Sequence, residues 1–300
     1  MREVRIPAFA KINLRLEILG KRADGYHELR TIFQCLSLHD ELILRRSSHR
    51  GISLTIVGNT ALSNEPVEKN LVYRAVDILR RRLKIPAGVE IQLKKNIPAG
   101  RGLGGGSSDA AAAILGYLRL SQRKLPSPEL LELASSLGAD VPFFLFGGRA
   151  LGVSRGNEIY PLPDISKLSV LVVSPQKIHV PTLDAYGWLK AAPLALTKTP
   201  AISKLWKFCA LCWSAQELGL SNDFERPVFR RHPRLAQIKR DLLLRGAAEA
   251  SLAGSGSAVF GVFPSPALAR RAAVGFPDDQ TFVCETLSRD RYVRRMQGTR

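Results

Sequence analysis

The chain has 300 residues, 45% of them hydrophobic and 23% charged, which is enough to bury one large core or two ordinary ones. Lys and Arg number 44 against 26 Asp and Glu, so the formal charge of +18 favours anionic partners such as nucleotides. Apolar runs are shorter than the roughly 18–20 residues of a membrane span, and four cysteines are too few for a disulfide scaffold. We therefore expect a two-domain cytoplasmic protein with free thiols and no leader segment.

Segment 7–18 alternates apolar and polar residues with period two, which predicts a half-buried strand. Its apolar face runs from Ala8 to Ile18, while Lys11 and Asn13 lie on the polar face. Further strands are predicted at 42–45, 52–57 and 89–93, with a helix at 70–83 between the last two.

A stretch rich in glycine and serine, PAGRGLGGGSS, follows at 98–108. We call it the first loop, and Ser107, Ser108 and Asp109 at its end offer caps for a helix predicted at 110–120. Another helix is predicted at 127–137 and ends at Gly138. Asp140 lies in the next turn, and the apolar run VPFFLFGG at 141–148 suits a buried strand.

The polar, proline-containing segment 161–166 suggests a boundary between domains at 1–164 and 165–300. The second half predicts strands at 168–175 and 281–287, and helices at about 182–191, 201–218, 233–246 and 265–273. It also contains another small-residue stretch, AGSGS at 253–257, which we call the second loop and which leads into a strand-like run. Strands and helices that do not alternate strictly favour the α+β class.

The first loop matches the dinucleotide pattern GxGxxG through Gly100, Gly102 and Gly105. That pattern also expects an acidic residue about 20 positions later, and residues 110–128 contain none. A Walker A loop is excluded because Ser107 and Ser108, not Lys-Ser, follow the last glycine. A tight structural turn remains an alternative, but so many glycines favour an anion site made of backbone N–H groups and a helix N-terminus.

Six segments in this order resemble the GHMP kinases, whose PxxxGLGSS-like loop holds ATP: PAFAKINLRLEILGKRADGYHELRTIFQ, KNLVYRA, IPAGRGLGGGSSDAA, LGADVPFFLFGG, SND and LAGSGSAVF. The resemblance implies an N-terminal α+β domain with the phosphate loop, a ferredoxin-like C-terminal domain, ATP as phosphate donor and Mg²⁺, whose ligands stay unassigned. The implied ATP contacts are Asn70, Lys95, Pro98, Gly100, Gly102, Leu103, Gly104, Gly105, Gly106, Ser107 and Ser108. For the second loop, packing against the first loop and contact with ATP are about equally expected.

The motif ADGYH at 23–27 narrows the resemblance to the branch that phosphorylates the 2-hydroxyl of a cytidine-diphosphate-linked methylerythritol on the non-mevalonate route to isoprenoid precursors. The resemblance implies that Asp140 is the catalytic base and Lys11 its partner. The implied substrate contacts are Asn13, Tyr26, His27, Thr182 and Tyr186. Taken singly, Lys11 and Asn13 are more typical of a solvated strand face and Tyr26 and His27 of a surface turn, while Asp140 is equally typical of a turn or cap.

Two alternatives remain open at this stage. Another GHMP kinase, of the homoserine or mevalonate type, would share the first loop but would not need ADGYH. A non-catalytic nucleotide- or RNA-binding protein would account for the charge, although Lys11 and Asp140 together argue against it. The partners we expect are ATP and a small-molecule substrate, with no membrane and no specific nucleic acid, and no sequence feature sets the oligomeric state.

Cys209 and Cys212 form a CxxC with strongly apolar neighbours, which favours small core residues over redox or zinc chemistry. The basic tail from Arg289 onwards matches none of the six segments.

Overall fold

The computed structural model describes residues 2–189, 191 and 219–297, and its strands form two sheets. The strands of the first sheet are β1 (Glu3–Lys21), β2 (His27–Ser47), β3 (Ile52–Val57), β4 (Gly88–Lys94), β5 (Arg149–Ser154), β6 (Glu158–Pro161) and β8 (Ser221–Asn222). Those of the second sheet are β7 (Ser169–Pro175), β9 (Glu249–Leu252), β10 (Val259–Phe263) and β11 (Asp279–Glu285).

The helices in the described residues follow the two sheets in chain order. In the first half they are α1 (Thr60–Ser63), a 3₁₀ turn (Val67–Lys69), α2 (Leu71–Arg82), α3 (Gly105–Ser121), α4 (Ser127–Leu137) and α5 (Phe143–Phe146). In the second half they are α6 (Thr182–Trp188), α7 (Glu225–Arg231), α8 (Pro233–Leu244), α9 (Pro266–Ala273) and α10 (Arg289–Gln297).

The first sheet is built around a long antiparallel hairpin of β1 and β2, in the order β3-β4-β2-β1-β8. Because β2 is long, its start pairs with β5 and its end pairs with β4. Helices α2 and α3 contact each other, and α3 packs against β1 and β2. This core contains an alanine run, Ala110–Ala113, whose small side chains suit close packing of helix on sheet.

The second sheet is antiparallel and has the order β11-β7-β10-β9. Numbered by their order in the chain, these four strands lie as 4-1-3-2, with helices after the first and third, which is the ferredoxin-like arrangement. The α+β class and the ferredoxin-like second domain are thereby confirmed. The predicted helix at 201–218, with Cys209 and Cys212, lies outside the described residues.

Two predictions of local structure are wrong. The run at 141–148 is not a strand, because Phe143–Phe146 form the short helix α5. A short apolar run is equally typical of a buried helix, and here Pro142 already has helical φ and ψ.

The even-numbered apolar residues of β1 do not share one face. Val4, Ile6 and Ala8 join the core around α3, whereas Ala10, Ile12 and Leu14 join a core between the two sheets. A register shift between Phe9 and Lys11 separates the two groups, and such irregularities re-aim the side chains that follow.

The basic segment after Arg289 forms helix α10, which packs against β1. Tyr292 and Met296 belong to the core around α3, and the Tyr292 hydroxyl donates to the Phe144 carbonyl. The Arg295 guanidinium lies 4.8 Å from the centroid of the Phe9 ring. The second half of the chain thus returns to the first sheet, and a division at 164/165 stays a prediction.

No helix in the described parts of the chain has both the length and the apolar character that a membrane span requires. Cys35 and Cys284 are free thiols, and Cys35 is fully buried.

Candidate active site

Lys11 is buried in the middle of β1, where a chain of hydrogen bonds fixes its side chain. The Lys11 backbone N–H donates to the Leu103 carbonyl at 2.9 Å, and Lys11 Nζ donates to Asn13 Oδ1 at 2.8 Å. Asn13 Nδ2 donates to Thr31 Oγ1 at 2.7 Å, and the Thr31 hydroxyl donates to the Arg15 carbonyl at 2.6 Å. Because an ammonium can only donate, the Asn13 amide presents its oxygen to Lys11 and its NH₂ group to Thr31.

The burial of Lys11 and Asn13 differs from a solvated strand face, since only 4% and 1% of their surfaces are exposed. Register shifts flank this part of β1, between Phe9 and Lys11 and between Asn13 and Arg15. Such irregularities re-aim side chains, and they place both residues beneath the first loop.

Asp140 lies in the turn between α4 and α5, and its Oδ2 is 3.3 Å from Lys11 Nζ. The Asp140 side chain is 32% exposed, while that of Lys11 is 5% exposed. The carboxylate therefore faces both a buried ammonium and solvent. A carboxylate in this position can accept a proton from a hydroxyl group that reaches it from the open side.

The first loop ends in helix α3, which begins at Gly105 and not at the predicted residue 110. Gly104 precedes it with φ +72°, and no side chain caps the helix within the described residues. The N–H of Ser108 is the first to bond inside the helix, to the Gly104 carbonyl at 2.9 Å. The N–H groups of Gly105, Gly106 and Ser107 thus have no intrahelical acceptor and, with the helix dipole, can bind an anion.

Other residues of the first loop differ in exposure. Gly100 is exposed and Pro98 is half-buried, whereas Leu103 is buried and holds Lys11 through its carbonyl. A Cβ at Gly104 would lie 2.9 Å from both Lys11 Cγ and Phe144 Cζ, so only glycine lets the loop approach Lys11 this closely.

The second loop packs directly on the first, with backbone against backbone. A Cβ at Gly102 would lie 1.8 Å from the Ala253 carbonyl oxygen. The Ala258 N–H donates to the Arg101 carbonyl at 3.2 Å, and the Arg101 guanidinium donates to Ser257 Oγ at 2.7 Å. The packing role considered for this loop is therefore observed, and contact with ATP stays a prediction.

Lys95 lies beneath the first loop, only 7% exposed, with its ammonium between the carboxylates of Asp40 and Asp109. One ammonium cannot neutralise two buried carboxylates. Burial raises the pKa of Asp109 to about 8, a direction that Asp40 reinforces and Lys95 opposes. Burial alone would lower the pKa of Lys95, but Asp109 and Asp40 outweigh it and raise that pKa. The Lys95 ammonium is therefore occupied and its backbone N–H donates to the Val57 carbonyl at 2.8 Å, while its contact with ATP stays a prediction.

Asn70 caps helix α2, since its Oδ1 accepts from the Val72 N–H at 2.9 Å. It also lines a cavity of about 230 Å³ between β3 and the 3₁₀ turn. The apolar side chains of this cavity are Leu54, Ile56, Leu62, Pro66 and Val67. Thr55, Ser63 and Glu65 also line it, and a purine base, which has apolar faces and polar edges, suits this mixed lining.

His27 and Tyr186, which are 159 positions apart in the sequence, stack with ring centroids 4.8 Å apart and an interplanar angle of 27°. Burial, and then the Asp140 carboxylate, raise the pKa of Tyr186, which indicates that this ring lies near Asp140. Burial and the charge of Lys21 lower the pKa of His27, so its ring is neutral at pH 7.

Two other predicted substrate residues do not join this stack. Tyr26 is 58% exposed and lies under the Arg155 guanidinium, 4.8 Å from its ring centroid. Thr182 is exposed at the start of α6, with its Oγ1 3.2 Å from Ser255 Oγ of the second loop.

Several residues of the site were missed from the sequence. Thr31 and Phe33 lie within the segment that carried the resemblance, but only the register of β1 and β2 brings them beneath Lys11, whose Nζ is 5.4 Å from the Phe33 ring centroid. Asn222 holds the second loop by donating to the Leu252 and Gly254 carbonyls at 2.8 and 2.7 Å. The polar triplet SND was the available signal for it.

Comparison with known proteins gives consistent matches. The sequence profile of the GHMP kinases N terminal domain matches residues 70–148, and that of the GHMP kinases C terminal region matches residues 208–278. A 4-diphosphocytidyl-2-C-methyl-D-erythritol kinase of Solibacter usitatus is 44% identical over 295 residues, which is 97% of this chain and 91% of that protein.

Solved structures agree in fold. The crystal structure of a 4-(cytidine 5'-diphospho)-2C-methyl-D-erythritol kinase has a TM-score of 0.76 and 33% identity, covering 94% of this chain and 99% of that one. A homoserine kinase from Cytophaga hutchinsonii has a TM-score of 0.72 over 96% of this chain and 95% of its own, but at 21% identity it shares the fold alone.

The chain is a GHMP kinase, an ATP-dependent phosphotransferase whose uncapped helix α3 begins beside a lysine-aspartate pair. Its identity to named relatives extends over nearly the whole length of both chains. Within this class, the chain belongs to the 4-diphosphocytidyl-2-C-methyl-D-erythritol kinase family.

Proposed function

We propose that the protein transfers the γ-phosphate of ATP to the 2-hydroxyl of 4-diphosphocytidyl-2-C-methyl-D-erythritol, a step in the supply of isoprenoid precursors. The observation that carries the proposal is the Lys11–Asp140 pair, 3.3 Å apart, between the free N–H groups of α3 and the His27–Tyr186 stack. The N–H groups of α3 suit a polyphosphate, and the His27–Tyr186 stack suits a nucleobase. A cytoplasmic location, where ATP is abundant, is part of the proposal.

The nucleotide donor is bound by two features of the first domain. The cavity beside Asn70 takes the adenine, and the N–H groups of Gly105, Gly106 and Ser107 bind phosphate oxygens. Because these donors are fixed by the helix, they need no reorganisation as charge develops on the transferred group.

Proton transfer is assigned to Asp140. As the acceptor hydroxyl attacks phosphorus, Asp140 takes its proton, and the ion pair with Lys11 orients the carboxylate. Lys11 is itself held by Asn13, so the pair keeps one geometry while the substrate binds.

Mg²⁺ accompanies ATP in this proposal. The described residues contain no cluster of three acidic, His or Cys side chains, which suits an ion held mainly by phosphates and water. Ser107, in the first turn of α3, and Asp140 are the side chains proposed to hold it. When bound, the ion neutralises polyphosphate charge.

The cytidine group is assigned to the ring pair of His27 and Tyr186. A neutral imidazole and a phenol offer faces for stacking and polar edges for the base. Tyr26 and Thr182 are proposed to border this site from the exposed side.

The test is transfer of labelled γ-phosphate from ATP to the cytidine substrate, to homoserine and to mevalonate. We expect transfer to the cytidine substrate alone, and a fall in kcat of about 10² to 10⁴ for Asp140→Asn with little change in KM. Asp184→Asn, an exposed carboxylate on α6, is the matched control and should keep full activity.

Transfer to another acceptor would support the kinase activity but refute the proposed cytidine site. Full activity of Asp140→Asn would refute the catalytic role. ATP binding without any transfer, together with steeply salt-dependent RNA binding, would favour a binding protein instead.

A further inference from the structure

A second cavity, of about 210 Å³, lies at the opposite end of α3 from the first loop. Its apolar surface comes from Ile85, Pro86, Ala87 and Leu120. Tyr117 also lines it and is 12 residues from Gly105, so the helical rise places the two about 18 Å apart. The cavity is therefore separate from the candidate active site.

The hydroxyl of Tyr117 is buried and has no hydrogen-bond partner among the residues that the structure describes. Only 2% of Tyr117 is exposed. Burial raises its pKa and nearby Arg80 lowers it, and Arg80 Nε is also buried without a partner in the described residues. Unpaired buried polar atoms are uncommon in folded proteins, so the hydroxyl of Tyr117 calls for a partner.

Cations surround the same cavity. Arg46, Lys84 and Arg123 line it, no carboxylate does, and in the described residues none of the three forms an ion pair. Arg46 donates to the Leu120 carbonyl at 3.1 Å, which fixes its guanidinium at the rim. An apolar floor with a positive rim and an unpaired phenol favours a ligand with the opposite pattern.

We propose that this cavity binds a small organic anion with an apolar body and one phosphate or carboxylate group. The body packs against Ile85, Pro86 and Leu120, and the Tyr117 hydroxyl donates a hydrogen bond to the ligand. Lys84 and Arg123 bind the anionic group. The volume is that of a ligand of about ten non-hydrogen atoms, since a 150 Å³ cavity holds benzene. A nucleotide is too large.

The first test is calorimetric binding of phenyl phosphate to the full chain with ATP present at saturation, so that the first loop is occupied. We expect one binding site, with affinity about tenfold above those of inorganic phosphate and of benzyl alcohol. No binding, or equal affinity for inorganic phosphate or for benzyl alcohol, would overturn the proposal.

Variants then locate the site. Lys84→Ala/Arg123→Ala should weaken phenyl phosphate binding about tenfold, and Tyr117→Phe about fivefold. Arg270→Ala/Arg271→Ala removes the same charge from the exposed face of α9 and should leave binding unchanged. Equal weakening by both double variants would mean attraction to the overall charge and would refute the site.

Tyr117→Phe also reports on folding without ligand. Because it removes an unpaired hydroxyl, the temperature of unfolding should stay the same or rise. A fall would mean that the hydroxyl already has a partner in the free protein, which contradicts the proposal.

Discussion

The two loops rich in glycine and serine have similar compositions but different environments. The first loop is partly exposed and ends in helix α3, whose first N–H groups lack intrahelical acceptors. The second loop is buried throughout, and the carbonyls of Leu252 and Gly254 accept from the neutral amide of Asn222. Small residues thus leave N–H groups without intrahelical acceptors in the first loop and allow close packing in the second.

The loops also differ in what lies beneath them. The first covers Lys95, Asp40 and Asp109, a buried cluster with one positive and two acidic groups. The second is held by the neutral amide of Asn222 and by the Arg101 guanidinium, which stays protonated in proteins. The stability of the first loop should therefore depend on pH, while that of the second should not.

Gly102→Ala should have the largest effect, because it breaks the contact between the loops. The added Cβ would lie 1.8 Å from the Ala253 oxygen, and residue 102 has φ +79°. We expect a loss of more than about 3 kcal/mol in the free energy of unfolding, measured in urea.

Gly100→Ala is the matched control for this change. Residue 100 also has positive φ, at +67°, but its Cβ would meet only the His179 ring, at 2.9 Å. A loss of about 1 kcal/mol is expected there. Equal losses in the two variants would show that backbone strain, and not contact between the loops, determines the cost.

Asp109→Asn should have an intermediate effect that depends on pH. Because the pKa of Asp109 is raised in the folded protein, the unfolded chain releases this proton first, and the protein loses stability as pH rises from about 4 to about 8. The amide keeps the shape without the charge, so the variant should be more stable than the parent at pH 8, by about 1–3 kcal/mol.

Urea unfolding between pH 4 and pH 8 measures this difference. Glu129→Gln, at a surface ion pair with Arg82, should leave the pH profile unchanged. If the free energy of unfolding of Asp109→Asn followed pH in the same way as that of the parent, ionising Asp109 would not destabilise the folded protein.

Gly106→Ala should have the smallest effect on folding. Its Cβ would meet only Leu71 Cδ1, at 4.0 Å, and the residue is in the first turn of α3. A gain of about 0.5–1 kcal/mol is expected because alanine favours the helix. The methyl group would border the N–H groups, so KM for ATP should rise a few fold while kcat changes little, and an unchanged KM would argue against phosphate at this turn.

Much of the fold was predictable because it follows from local patterns. The strands at 52–57 and 168–175 and the helix at 127–137 were all found. The start of α3 was misplaced because cap rules assume a side chain that binds the first N–H groups, and in the described residues no side chain does so.

Long-range features were less predictable. Lys11 and Asp140 were paired only through resemblance, since no local pattern relates residues 129 positions apart. The direction of the Lys11 side chain depends on a register shift between β1 and β2. The cavity at Tyr117 depends on how the segment between α2 and β4 packs against the end of α3. Neither is encoded in a short stretch of sequence.

Helix α10 has a consequence for the timing of biosynthesis. Tyr292 fills space beside Phe9 and bonds to Phe144, which was translated 148 residues earlier. At about 5–20 residues per second, a ribosome needs on the order of 7–30 s to cover that interval. Throughout it, the apolar surface around Phe9 stays uncovered on the nascent chain, so a chaperone that shields this surface would improve the yield of active enzyme.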